Sequence, residues 1–264
     1  MDHVVRTTGL TKTFHSGSRR RPSPSAAIRA VDGVDLTVYR GQRVALLGPN
    51  GAGKTTTLFM LLGVISPDAG HVEIAGLRLP EQRSEAMQRV GFAAGYMPLA
   101  ERLRVREFLA LYGGLYGLKD PRDRIDVGLE RFGISHLANV MSSELSSGQR
   151  TLVGIIKATL HGPRLLVLDE PTASLDPDVA QRVRQGLQDL CDNEGTTLLV
   201  TSHNMVEVAR LCDRVVFMSA GRIVADGTPA EVADRFGQED LEDVFLHLAG
   251  NAGDAARTQE TDHA

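Results

Sequence analysis

GPNGAGKTT, residues 48–56, follows the apolar run Val44-Ala45-Leu46-Leu47 and leads into Leu58-Phe59-Met60-Leu61-Leu62. A short apolar run, a glycine-rich loop and a second apolar segment read as strand, phosphate loop and helix. Gly48, Gly51 and Gly53 let the backbone curl until successive N–H groups point inward, and the helix that starts there adds the positive end of its dipole. Gly48, Pro49, Asn50, Gly51, Ala52, Gly53 and Thr56 thus frame an anion cup. Lys54 can reach the β- and γ-phosphates of a nucleoside triphosphate, and the Thr55 hydroxyl can join the shell of Mg²⁺. Lysine is scarce in this chain, since only positions 12, 54, 119 and 157 carry it among 29 Lys and Arg residues, so the composition does not supply Lys54 by default.

A length of 264 residues with 42% hydrophobic content suits one large domain or two small ones with a full core. No uncharged apolar stretch reaches the length of about 18 residues that a membrane helix needs, and the N-terminus MDHVVRTTGL has no cleavable signal, so a cytosolic location is expected. The net charge of −4 argues against a nucleic-acid partner. Cys191 and Cys212 have no partnering His spacing and read as buried thiols in a reducing compartment.

Residues 4–8 and 31–39 read as strands of an antiparallel side layer. Between them, residues 16–30 are rich in Pro, Ser and Arg and read as a projecting, disordered loop. The alternative is contact with anionic lipid, worth about 1 kcal/mol per cation. Residues 70–76 form another short strand. The stretch 81–160 is predicted helical, broken near Gly95 to Pro98, Gly117 to Pro121 and Gly133 to Ser135. Brief apolar runs at 165–168, 197–200 and 214–218 return as sheet strands, with a crossover helix from Val179 to Asn193 between the first pair. Residues 250–264 are polar and expected to be mobile.

LLVLDEP, residues 165–171, ends a buried strand in two acids, where ligands sit in open parallel sheets. Asp169 can hold Mg²⁺, directly or through water, and Glu170 can orient and deprotonate the water that attacks a γ-phosphate. His203 follows the strand at 197–200 and is placed to sense that phosphate; His71, His136, His161 and His247 read as surface or partly packed side chains. In LSSGQ, residues 145–149, Ser146 or Ser147 caps a helix and Gly148 permits close approach. Its start is a second anion site for an ATP carried by another subunit, or a helix cap alone.

GPNGAGKTT, LSSGQ, LLVLDEP, Ala173-Ser174-Leu175-Asp176 and Thr201-Ser202-His203 together resemble the ATP-binding subunit of the ABC transporter family over residues 4–248. GLTKTF, residues 201–232 and LEDVFLHLAG look most like its bacterial drug-resistance and multidrug exporters. The resemblance implies an α/β P-loop NTPase core with a mainly parallel sheet, in one ATP-binding domain at 1–249. The antiparallel side layer falls at about 3–45 and 70–80, the helical subdomain at about 86–160, and a disordered tail at 250–264.

It also implies an ATPase using ATP and Mg²⁺ (Thr55, Asp169), with Glu170 and His203 catalytic and Phe14 stacked on adenine. Ser174 to Asp176 would link two ATP sites in a head-to-tail dimer, expected to be a homodimer. Each ATP would then be shared between Gly48 to Thr56 of one chain and Ser146, Ser147, Gly148 and Gln149 of the other. The subunit would lie on the cytoplasmic face of the membrane and power a separate permease, with the helical region 86–140, especially Tyr96, Met97, Pro98 and Leu99, as its docking surface; the alternative for those four residues is core packing. The alternative is a soluble ABC ATPase of the translation, iron–sulfur assembly or DNA-repair type.

Two positions depart from the family pattern. VGFAAG puts Gly95 where a glutamine contacts Mg²⁺, the attacking water and the membrane partner, which alters coupling or hydrolysis unless a group such as Glu101 substitutes. Ser147 replaces the first signature glycine, tolerable if its φ is negative.

Overall fold

The computed structural model describes residues 2–15, 27–95, 98–173 and 175–250. In chain order the elements are β1 (His3–His15), β2 (Ala27–Tyr39), β3 (Arg43–Leu47), α1 (Lys54–Leu61), β4 (Ala69–Ile74), β5 (Leu77–Leu79) and α2 (Arg83–Met87). There follow β6 (Val90–Ala94), α3 (Val105–Leu115), α4 (Arg122–Arg131), α5 (Ser147–Thr159), β7 (Leu165–Asp169), α6 (Pro177–Glu194) and β8 (Thr197–Thr201). Last come α7 (Met205–Leu211), β9 (Arg214–Ser219), β10 (Arg222–Gly227), α8 (Pro229–Phe236) and a helix α9 at 241–250.

The chain divides into two compact units. The first comprises Met1–Tyr39, Val44–Arg83 and Cys212–Ala264. It contains a four-stranded antiparallel sheet in the order β2-β1-β4-β5. Alternation buries Val5 and Thr7 along β1 and Val34, Leu36 and Val38 along β2. The buried Thr7 hydroxyl fills a break in that ladder, donating to Val34 O (3.0 Å) and accepting from Leu36 N–H (2.8 Å). Gly70 must be glycine, since a Cβ there would stand 2.4 Å from the carbonyl oxygens of Thr8 and Gly9. In the same unit β3 runs parallel to β9, with Val44 opposite Arg214 and Leu47 opposite Phe217, and β10 pairs antiparallel to β9.

The second unit comprises Arg40–Arg43 and Ser84–Leu211. Its strands β6, β7 and β8 are parallel and in register, Val90 opposite Leu165 and Leu165 opposite Thr197. Every residue of β7 and β8 is buried, which explains why both read as unbroken apolar runs rather than alternating ones. Helix α6 crosses between them, as the sequence predicts. Close approaches among the helices rest on glycine: at Gly186 a Cβ would meet the Phe132 ring at 2.3 Å, and at Gly128 it would meet Ile156 Cγ2 at 2.7 Å.

The mixed α/β architecture with parallel ladders and an antiparallel sheet agrees with the sequence reading. Three local expectations need correction. The span 81–160 is not helical throughout: Val90–Ala94 is strand β6, whose five small and apolar residues carry neither β-branching beyond Val90 nor alternation. Within the 3–45 span assigned to the side layer, β3 begins at Arg43 and joins β9 in parallel instead. Gly250, the last described residue, is still helical in α9, which is anchored by buried Leu241, Val244 and Leu248; residues 251–264 of the expected tail lie outside the described residues. Of the basic loop 16–30, Ala27 to Ala30 belong to β2 and 16–26 lie outside the described residues, as do Tyr96, Met97 and Ser174.

One partly packed histidine carries a pH prediction. His161 stacks on Tyr116 with ring centroids 3.9 Å apart and planes 6° off parallel. Among the described residues neither ring nitrogen has a hydrogen-bond partner. Burial pushes its pKa below the ordinary histidine range, with Arg124 adding to the effect. The Val90 backbone offsets this only in part, since it meets neither nitrogen in hydrogen-bond geometry. The unfolded chain therefore binds this proton more readily, so stability is lost as pH falls through about 6.5. Replacing His161→Phe keeps the stack and removes the titration. Urea midpoints of variant and wild type are expected to diverge, in the variant's favour, as pH drops from about 8 to about 5.5; parallel midpoints would refute the assignment.

Candidate functional site

The phosphate loop is built in the first unit. Gly48, Gly51 and Gly53 have φ of 142°, 79° and 101°, conformations that side chains rarely adopt. Two of them are also sterically closed. A Cβ at Gly48 would lie 2.1 Å from Met218 O, and one at Gly53 2.3 Å from Ala30 O. Thus β9 and β2 press on the outside of the loop. Gly53 caps α1, and the Thr57 hydroxyl, fully buried, donates back to Gly53 O at 2.9 Å.

Lys54 is 8% exposed and its ammonium donates to Gly48 O (2.5 Å) and Pro49 O (3.1 Å), so the cation is held inside the turn that precedes it. Thr55 is exposed at the helix start and Thr56 half-buried; Pro49 is half-buried, Asn50 exposed and Ala52 buried. Gly221 N–H donates to Ala52 O (3.1 Å) and Asp32 N–H to Gly221 O (2.9 Å), tying the loop through the β9–β10 turn to β2. Phe14, near the end of β1, is 44% exposed, with the Lys12 ammonium 5.9 Å from its ring centroid.

The acid pair is built in the second unit. Asp169 closes β7 and is 8% exposed; its Oδ1 accepts from the Thr201 hydroxyl at 2.5 Å, its register partner on β8. Thr201 was missed as a site residue. Its signal is topological: β7 and β8 are both five residues long and end in register, so Thr201 had to face Asp169. Glu170 has φ of +52°, a strained value for a non-glycine residue. The strain is held by two hydrogen bonds from Glu170 N–H, to Thr201 O and Thr201 Oγ1, each 3.2 Å.

This turn aims the Glu170 carboxylate at His203. Glu170 Oε2 accepts from His203 N–H at 3.2 Å, and Oε1 lies 3.1 Å from His203 Nε2. His203 is itself fixed by its neighbours: Asn204 N–H donates to Ser202 Oγ (3.0 Å) and Glu207 N–H to Asn204 Oδ1 (3.0 Å). Glu207 is clamped by Arg184 at 2.6 Å and 2.8 Å. The histidine placed by the sequence as a phosphate sensor therefore also orients the acid.

The signature residues 146–149 and Asp176 lie at helix starts. Ser146 and Gln149 form a reciprocal cap on α5: Ser146 Oγ accepts from Gln149 N–H (3.3 Å) and Gln149 Oε1 from Ser146 N–H (3.0 Å). Ser147 is exposed and helical, with no positive φ, which meets the condition set for replacing glycine. Gly148 is buried where a Cβ would touch Val179 Cγ1 at 3.2 Å. Asp176 is the exposed N-cap of α6, without a side-chain cap bond. Gly95 follows β6 and donates its N–H to Asp169 O (3.2 Å), and a Cβ there would stand 3.1 Å from Glu170 O. Glu101 is exposed in the turn ahead of α3.

Residues 31–173 match the family model described as ABC transporter. The chain belongs to the ABC transporter family. It is 38% identical over 206 residues to Nod factor export ATP-binding protein I of Cupriavidus metallidurans, a match spanning 77% of this chain and 68% of that one. It is 36% identical over 229 residues to daunorubicin resistance ATP-binding protein DrrA3 of Streptomyces coeruleorubidus, covering 86% and 72%. The solved structure of an ATP-binding subunit of an ABC transporter superposes with a TM-score of 0.79 at 26% identity, covering 93% of this chain and 99% of that one. This ABC subunit is thus an ATP-binding ATPase, as its motifs implied. Its chain spans about two thirds of the length of the Nod factor relatives.

In the second unit Asp169 offers a hard carboxylate oxygen, and in the first Thr55 offers a hydroxyl, donor types that suit Mg²⁺; among the described residues no group of three or more His, Cys, Asp and Glu could hold an ion alone. Few protein ligands, with phosphate and water completing the shell, is the usual habit of this ion.

Proposed function

We propose that this ABC subunit hydrolyses ATP to drive export of drugs or other hydrophobic small molecules through a separate membrane permease, closing head to tail with a second copy of itself. The observation that carries the hydrolytic role is Glu170, strained at φ +52° with both carboxylate oxygens engaged by His203. A carboxylate fixed in this way is an oriented base for water. Lys54 and the N–H groups of residues 48–56 bind the triphosphate, and Phe14 stacks on the base. Thr55 and Asp169 would each offer Mg²⁺ an oxygen, and the ion would neutralise phosphate charge when bound. Ser146, Ser147, Gly148 and Gln149 at the start of α5 and Asp176 at the start of α6 face the nucleotide of the partner copy.

The exporter reading is supported by what the relatives are called, Nod factor export and daunorubicin resistance. No helix among the described residues is long and apolar enough to cross a membrane, so the transport path is assigned to a partner, with this subunit on its cytoplasmic face. Detergent extraction of membranes followed by capture of the tagged full chain tests this: a multispanning protein is expected in stoichiometric yield, and capture of ribosomes or nucleic acid without one would overturn it.

Gly95 adds a second test. In Gly95→Gln the new Cβ presses on Glu170 O and must move it by a few tenths of an ångström, while the residues of the phosphate loop keep their identity. ATP affinity is expected to stay the same and the ATPase response to the permease to change. An unaltered response would count against Gly95 as the coupling position.

A further inference from the structure

Strand β1 loses its pairing with β4 before it reaches Phe14, while β2 still pairs with Thr13, Phe14 and His15. Its register against β4 shifts between Thr8 and Thr11, and the last pair is Thr11 with Ala69. Against β2 it shifts between Thr7 and Leu10, between Leu10 and Lys12, and between Lys12 and Thr13. Beyond Thr11 the strand is laddered on the β2 side only, yet it carries a half-exposed aromatic ring.

Asp68, in the turn ahead of β4, supplies the missing attachment. Its Oδ2 accepts from Thr13 N–H at 2.7 Å and its Oδ1 from the Lys12 ammonium at 2.7 Å, while its own N–H donates to Thr11 O at 2.9 Å. Lys12 also donates to Ser66 O at 2.9 Å and stands 5.9 Å from the Phe14 ring centroid. One carboxylate therefore grips the Lys12–Thr13 peptide unit, one residue ahead of Phe14, and the cation beside its ring. Lys12 and then the Thr13 N–H hold this carboxyl below the usual carboxylate range, so the grip persists into mild acid.

We propose that Asp68 is the positioning residue for base recognition, fixing the end of β1 so that the Phe14 ring meets the adenine without first having to be ordered. A platform that is already fixed does not pay ordering entropy when the ligand arrives. The inference rests on the reading of Phe14 as the adenine platform.

Magnesium tripolyphosphate has the phosphates of ATP and no base, which separates the two readings. Binding of MgATP and of magnesium tripolyphosphate would be measured on the full chain as wild type, Phe14→Ala, Asp68→Ala, Asp68→Asn and the double variant Phe14→Ala with Asp68→Ala. Asp68→Ala is expected to weaken ATP about tenfold and leave tripolyphosphate unchanged, since stacking a base on an aromatic ring is worth that much. Asn keeps one acceptor and turns an NH₂ toward the other donor, so Asp68→Asn should fall between. The double variant should bind ATP no more weakly than Phe14→Ala, because both changes remove one interaction.

Equal losses for both ligands would reduce Asp68 to a fold-holding residue and overturn the proposal. No loss at Asp68 where Phe14→Ala shows one would also overturn it. If Phe14→Ala itself spares ATP, the platform reading fails and the inference falls with it, a pattern distinct from the other two. Should Asp68→Ala not fold, Asp68→Asn decides by the same comparison: a loss confined to ATP supports, and a shared or absent loss overturns.

Discussion

Glu170→Gln is expected to bind ATP as the wild type does and to lose about 10²- to 10⁴-fold in turnover, the usual contribution of a positioned general base. The substitution is nearly isosteric, so the strained turn and its bonds to Thr201 have no reason to relax. A glutamine oxygen can still accept from His203 N–H, which keeps the side chain in place. What disappears is the basic oxygen lone pair and the charge beside His203 Nε2. Because the γ-phosphate is no longer removed, ATP should accumulate with the two copies closed on it. Size-exclusion chromatography with MgATP should then show a dimer for Glu170→Gln and a monomer for the wild type after turnover. Full hydrolysis by the variant would remove Glu170 from this role. His203→Ala should lower turnover through the same carboxylate, since it deletes the ring that Glu170 Oε1 faces while sparing the His203 N–H bond.

Much of this arrangement is legible in the chain because the decisive contacts are local. The reciprocal cap of Ser146 and Gln149 needs only a spacing of three, and the phosphate loop needs glycines where φ is positive. The burial of β7 and β8 follows from their unbroken apolar runs. What escaped depends on partners distant in sequence. Strand β6 is poor in branched residues and is held by its parallel pairing with β7, a contact that no local pattern announces. Thr201 acts on Asp169 across 32 positions, and Asp68 on Thr13 across 55. The strain at Glu170 was equally hidden, since nothing in LLVLDEP marks its acid as left-handed; only the hydrogen bonds of the folded turn impose it.

Lys54→Ala is expected to weaken ATP binding about a hundredfold, the loss that follows from removing one partner of a desolvated charge pair at roughly 3 kcal/mol. The magnitude follows from burial. At 8% exposure the ammonium is largely stripped of water, and the carbonyls of Gly48 and Pro49 replace part of that shell. A cation solvated by carbonyl dipoles inside the loop gains more from an arriving phosphate than one that must first shed water. Lys54→Arg should rescue little, because a planar guanidinium does not fit a turn that closes on a compact ammonium. The fold itself should survive, since the two carbonyls can turn to solvent and the Thr57 hydroxyl still anchors Gly53. Gly53→Ala is the contrasting case: its Cβ would collide with Ala30 O at 2.3 Å, so affinity and stability should fall together. Calorimetric titration with MgATP, paired with urea unfolding of each variant, separates the two. Unchanged ATP affinity in a folded Lys54→Ala protein would remove the phosphate loop as the site of nucleotide binding.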